Sequence, residues 1–137
     1  MTSSKAQART REQRLSQASR RRREAEKKEL RQAILEAAGK LFLEQGYEGF
    51  SLRQVAELIG YTPTTIYLYF ANKDALLFAL LDEAFDRFEV ALRRAYESSD
   101  EPLARLEALG HAYVRFGLEN PQHYQIMFVV RSDFLLQ

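Results

Sequence analysis

Ser51 to Leu77, SLRQVAELIGYTPTTIYLYFANKDALL, is the stretch that decides the fold. Ser51 followed three residues later by Gln54 fits the capping box that opens a helix. Leu52, Val55, Ala56 and Ile59 then share one face at helical spacing. Gly60 ends that helix and supplies a residue free to take the left-handed conformation of a tight turn. Thr62 before Pro63 reads as an N-cap with proline at the first helical position, so another helix begins almost at once. Ile66 and Phe70, four apart, are its inward pair, and Asn72 caps the helix after it. Two short helices joined by a glycine turn are a helix-turn-helix unit.

Upstream, Leu30, Ala33, Ile34, Ala37, Leu41 and Phe42 recur at three- and four-residue steps. Gly46 follows Gln45 where a C-cap glycine belongs, so the first helix is expected from about Lys28 to Gln45. Downstream, the helix capped by Asn72 carries Leu76, Leu77, Leu80, Leu81, Ala84, Phe85, Phe88 and Leu92 and should end near Tyr96. After the linker Ser98-Ser99-Asp100, Glu101-Pro102 opens a fifth helix with Leu103, Leu106, Tyr113 and Phe116 expected inward. Asn120-Pro121 opens a sixth through Ile126, Met127 and Phe128. Nothing alternates as a strand does, and the expected fold class is all-α.

A chain of 137 residues supports one domain, or one domain with a tail. It has no Cys, which removes disulfide frameworks, thiolate metal sites and thiol nucleophiles. No apolar run approaches the ~18 residues of a membrane helix, and no apolar core follows the amino-terminal charges as in a secretory signal. The net charge of +1 hides an asymmetry. Residues 1–31 hold eleven Lys and Arg against four Glu, whereas residues 32–137 hold nine against fifteen Asp and Glu. A basic head on an acidic body places the affinity for polyanions at one end. Residues 1–28, with Leu15 as the one large aliphatic after Met1 and the run Arg20-Arg21-Arg22-Arg23, bury too little to order themselves. They are expected to be a disordered basic arm, followed by a helix-turn-helix domain over 29–77, whose fourth helix begins at about 73. A partial helical regulatory domain is expected over 78–137.

In a helix-turn-helix the helix after the turn lies in the major groove with its first residues at the base edges. Here these are Pro63, Thr64, Thr65 and Tyr67. Thr hydrogen-bonds either kind of base or offers its methyl to thymine, and Tyr brings a ring face and a hydroxyl. Arg53, early in the preceding helix, can approach the same groove. Lys73 stands in the first turn of a helix, where a cation opposes the helix dipole, and an outside phosphate would explain it. Tyr69 is the second candidate phosphate partner. Against this, Thr-Pro-Thr-Thr is also a good helix start, Tyr67 could be core, and Lys73 could be an ordinary solvated lysine.

His111 and His123 lie twelve apart with no paired spacing, so no metal site is expected. No Ser/His/Asp set or Gly-rich phosphate loop occurs, so no catalytic residue, cofactor or enzymatic activity is expected. Phe85, Phe88, Leu92, Tyr113, Phe116 and Met127 read first as core. They would also line an aromatic, apolar ligand cavity if one exists between the last three helices.

The run Ala37, Leu41-Phe42, Gly46-Tyr47, Ser51, Val55-Ala56, Gly60, Thr62, Ile66-Tyr67, Tyr69-Phe70, Lys73 and Leu76-Leu77 resembles the DNA-binding domain of the TetR (tetracycline-repressor-like) family of bacterial regulators. The likeness spans about Leu30 to Leu81. Tyr-x-Tyr/His-Phe-x-x-Lys directly after the turn is its most specific part, with Tyr69 replacing the more usual His. The resemblance implies that Arg53, Pro63, Thr64, Thr65 and Tyr67 read bases and that Tyr69 and Lys73 grip phosphates. Tyr113-Val114-Arg115-Phe116 and Glu119-Asn120-Pro121 are similar to one subgroup's ligand domain, which implies the first helices of an all-helical ligand and dimerisation domain. The implied function is a transcriptional repressor that binds double-stranded, palindromic DNA as a homodimer and is released in its complete form by a small apolar or aromatic effector. The implied location is the bacterial cytoplasm, at the nucleoid, without membrane attachment. Family members are longer, and their last two helices form the dimer interface and close the effector pocket. This sequence ends before them, so it is expected to be a fragment or truncated regulator, or to dimerise differently. An effector-independent DNA-binding module and a helix-turn-helix protein-interaction module are the alternatives.

Overall fold

The computed structural model describes residues 2–129, with side chains from Thr10 onward, and every regular element among them is helical. The elements are α1 (Thr2–Gly49), α2 (Leu52–Ile59), α3 (Pro63–Tyr67), α4 (Lys73–Glu97), α5 (Pro102–Glu119) and α6 (Pro121–Tyr124), with a π-helical turn over Gln125–Val129.

α1 is longer than expected. Residues 2–28, expected to be disordered, are helical as well. The physical reason is local: residues 2–38 contain neither Gly nor Pro and are dominated by Ala, Arg, Gln, Glu and Lys, the strongest helix formers. The chain divides into two compact units, residues 1–33 and 34–137. In the first, side chains from Thr10 to Glu29 are exposed except the half-buried Ser19. Gly46 interrupts the helical backbone at φ 72° and ψ −177°, one residue after the predicted end. Only glycine takes that conformation without strain.

The core of the second unit is built from α1, α2, α3 and the start of α4. Ile34, Ala38, Val55, Ala56, Ile66, Leu76 and Leu77 are all fully buried. Phe42 meets Phe50 edge-on, with ring centroids 6.1 Å apart. The capping read from the sequence is present at α2, where the Gln54 amide donates to Ser51 Oγ at 3.3 Å and the Ser51 amide donates to Gln54 Oε1 at 3.0 Å. It is present at α4 too, where the Ala75 amide donates to Asn72 Oδ1 at 2.8 Å.

α5 differs from its reading. Of the four residues expected inward, Phe116 is buried, Tyr113 is 40% exposed, and Leu103 and Leu106 are 74% and 67% exposed. The helix carries two apolar stripes on opposite sides. Ala108, Leu109, Ala112 and Phe116 form the more sheltered one, and Leu103, Leu106, Val114 and Leu118 form the outer one. Helical spacing alone gives no preference between them, and the small alanines, which let α4 and α5 approach, carry the weaker hydrophobic signal.

Candidate nucleic-acid interface

The turn is set by Gly60, which stands at φ 77° and ψ 31°, the left-handed region. The Tyr61 amide donates to the Ala56 carbonyl at 2.9 Å, which closes α2 and sends the chain directly into α3. Thr62 occupies the N-cap position with extended backbone but makes no side-chain cap. Its hydroxyl instead lies 3.2 Å from that of Thr65, so these two threonines fix each other. Pro63 supplies the first helical residue without an amide proton to satisfy.

α3 is five residues long and is held from beneath. Ile66 is fully buried and Phe70, just after the helix, is 5% exposed. Pinned by these two, the helix turns Thr64 and Tyr67 outward, and Tyr67 is 55% exposed. The reading of Tyr67 as core is therefore set aside. Arg53 is exposed on α2, while Pro63, Thr65 and Tyr69 are half-buried. Two further residues of this face were missed from the sequence: Tyr61 in the turn, 49% exposed, and Leu68 at the end of α3, 80% exposed. An exposed aromatic inside a glycine turn was the available signal.

Lys73 has different partners from the phosphate its position suggested. Its ammonium donates to the carbonyls of Tyr47 and Phe50 and stands 4.2 Å from the centroid of the Tyr47 ring and 5.2 Å from that of Phe50. Two of its three protons are thereby committed within the protein. Carbonyl and ring-face contacts offset the unfavourable position in the helix dipole. The Tyr47 hydroxyl donates to Asp74 Oδ1 at 2.5 Å, and this bond to a carboxylate raises the phenol above its ordinary pKa. Tyr47, Lys73 and Asp74 together fasten the end of α1, and Phe50 just after it, to the start of α4.

Of the six residues read as pocket lining, Phe85, Phe88, Tyr113 and Phe116 enter one aromatic cluster with Tyr124 and Phe128. Phe88 lies 5.1 Å from Phe116, 5.7 Å from Phe128 and 5.9 Å from Tyr113, and Phe85 lies 6.4 Å from Phe128, all centroid to centroid. The hydroxyls of Tyr113 and Tyr124 are 3.0 Å apart. Leu92 and Met127 are half-buried and add no ring to it. These rings pack on one another. An open groove of about 960 Å³ lies elsewhere between α4 and α5, lined by Arg87, Arg94, His111 and Arg115 over small residues such as Ala91 and Ala112, and it shares Phe116 alone with the expected set.

His123 is 6% exposed, and neither ring nitrogen has a hydrogen-bond partner among the described residues. Burial, helped by the Arg87 charge, holds its pKa below the ordinary histidine value, while Glu83 and Glu36 oppose the shift. No cluster of His, Asp and Glu suited to a metal ion occurs among the described residues. No helix there is long and apolar enough to cross a membrane.

Residues 34–80 match the family model described as bacterial regulatory proteins, tetR family. Over 78 residues the chain is 38% identical to the HTH-type transcriptional regulator HbdR of Aromatoleum sp. (strain CIB), covering 57% of this chain and 34% of that protein. Over 94 residues it is 35% identical to the HTH-type transcriptional regulator RutR of Escherichia coli (strain K12), covering 69% of this chain and 42% of that protein. The chain thus spans less than half the length of either relative. Among solved structures it is similar to the TetR family transcriptional regulator PfmR from Thermus thermophilus. That match has a TM-score of 0.63 and 30% identity, and covers 69% of this chain and 51% of that one.

Proposed function

We propose that this chain, whose residues 34–80 match the family model for bacterial regulatory proteins of the tetR family, is a sequence-specific DNA-binding transcriptional regulator. One observation carries the reading: α3 is anchored through buried Ile66 and Phe70 while Thr64 and the ring of Tyr67 face solvent. A helix start that is polar, aromatic and uncovered suits a major groove. Arg53, Pro63, Thr64, Thr65 and Tyr67 face bases in this account, and Tyr69 faces a phosphate. Lys73 acts chiefly by holding α4 to the segment before α2, which fixes how the motif is presented.

The complete protein acts as a repressor in the bacterial cytoplasm, at the nucleoid. It binds a palindromic operator as a homodimer, with half-sites about 34–36 Å apart or a multiple of that, and a small apolar or aromatic effector releases it. The relatives named above are called HTH-type transcriptional regulators, which supports the regulation of transcription through DNA. A second reading, a DNA-binding module without effector control, is favoured by the aromatic cluster, whose rings occupy one another's faces.

Selection of bound duplexes from a random pool tests the function. Enrichment of one motif, arranged as an inverted repeat if the chain dimerises, is the expected result. A pool that stays random after repeated rounds would remove sequence-specific binding.

A further inference from the structure

We propose that the helix over residues 10–31 is a second, sequence-independent contact surface for the phosphates of duplex DNA, acting beside the helix-turn-helix. In this unit the side chains from Thr10 to Glu29 stand in solvent with one half-buried exception. Leu15, 63% exposed, is the one large aliphatic residue between Met1 and Leu30. Such a helix has no apolar stripe to lay on a partner helix or to sink into a lipid interface, both of which need one. What it does carry is charge. Arg20, Arg21 and Arg23 have no ion-pair partner among the described residues, and Arg22 has only the exposed Glu26 at 3.8 Å.

Successive helical residues are about 100° apart, so these four arginines point in four directions. Arg11, Arg14, Lys27 and Lys28 add to these, so that no half of the helix surface is without a cation. A rod charged all round neither prefers one face nor reads a sequence. It suits a polyanion with one charge per about 1.7 Å of axis, which it can meet in any rotation. The choice of duplex DNA over other polyanions rests on the proposed reading of the helix-turn-helix, to which this helix is joined by the chain. Binding through one element then raises the effective concentration of the other.

A straight helix brings only about half of its circumference to a duplex, so about two of the four arginines contact phosphate at once. Replacing all four together (Arg20→Gln, Arg21→Gln, Arg22→Gln, Arg23→Gln) should lower the slope of log affinity against log salt by about two. The probe is the full-length chain on a random-sequence duplex, read by fluorescence anisotropy over a KCl series. Gln propagates helices about as well as Arg, so the circular dichroism should not change. An unchanged slope overturns the proposal. So does binding to phosphatidylserine vesicles that the substitutions abolish while DNA binding keeps its slope.

The two readings fail separately. A random pool that enriches no motif, with the slope still falling on the four substitutions, removes the helix-turn-helix reading and leaves the basic helix. A clear motif with an unchanged slope does the reverse.

Discussion

At the scale of single residues, the division of labour around α3 follows from burial. Ile66 and Phe70 anchor, and Tyr67 and Thr64 stand out. Tyr67→Ala should therefore leave the melting temperature nearly unchanged and cost about 1–3 kcal/mol on the selected site, relaxing preference at one base position; titration of matched and mismatched duplexes reads this. Lys73→Ala should act differently. Its ammonium is held by the Tyr47 and Phe50 carbonyls, so thermal denaturation should show a loss of stability, of about 1–3 kcal/mol for carbonyls left without a donor. A variant that melts normally but shows a shallower salt slope would return Lys73 to a phosphate role. Sequence alone flagged Lys73 as misplaced for its helix dipole. It could not supply the partners, because Tyr47 and Phe50 lie more than twenty positions away. His123 is buried, and its burial makes it a source of pH dependence. Above about pH 6.5 the imidazole is neutral folded or unfolded and contributes no slope. As pH falls below that value the unfolded chain takes up a proton that the buried site resists, so stability should decline. His123→Leu should flatten the melting temperature between pH 7 and pH 5, and a variant as pH-sensitive as the parent would contradict this origin.

At the scale of elements, the boundaries with local causes were legible. Ser51 with Gln54, Gly60, Pro63 and Asn72 each write their role in one or two side chains, and the caps stand where the sequence puts them. Gly60→Ala tests the turn. Among the described residues, no atom beyond its chain neighbours lies within 4 Å of the added methyl group, so the cost is that of left-handed backbone alone, about 1–2 kcal/mol in chemical denaturation. A neutral substitution would show that the turn tolerates another geometry. Elements defined by contact were less legible. On α5 two apolar stripes compete, and the inner one is largely alanine, so the reading took Leu103 and Leu106 to be buried. In α1 the polar composition suggested disorder, whereas uninterrupted helix formers give a helix even without a core.

At the scale of the whole molecule, the charge asymmetry and the order of helices support the functional reading that the exposed face of α3 carries. The all-α class and the likeness to the tetR family were both available from the motif around Gly60 and Lys73. The aromatic residues of α4 and α5 were legible first as core and second as a cavity lining, and the choice between the two was not legible, because whether rings meet each other or enclose a space depends on helix placement. The central claim is that α3 reads the major groove. Its most direct test is affinity for the selected duplex rebuilt with uracil for thymine and 7-deazapurines for purines, changes confined to the major-groove edge. Losses of about 1–3 kcal/mol at the contacted positions are predicted, and they should vanish for the position read by Tyr67 in the Tyr67→Ala variant. Unchanged affinity across every substituted duplex would contradict the claim.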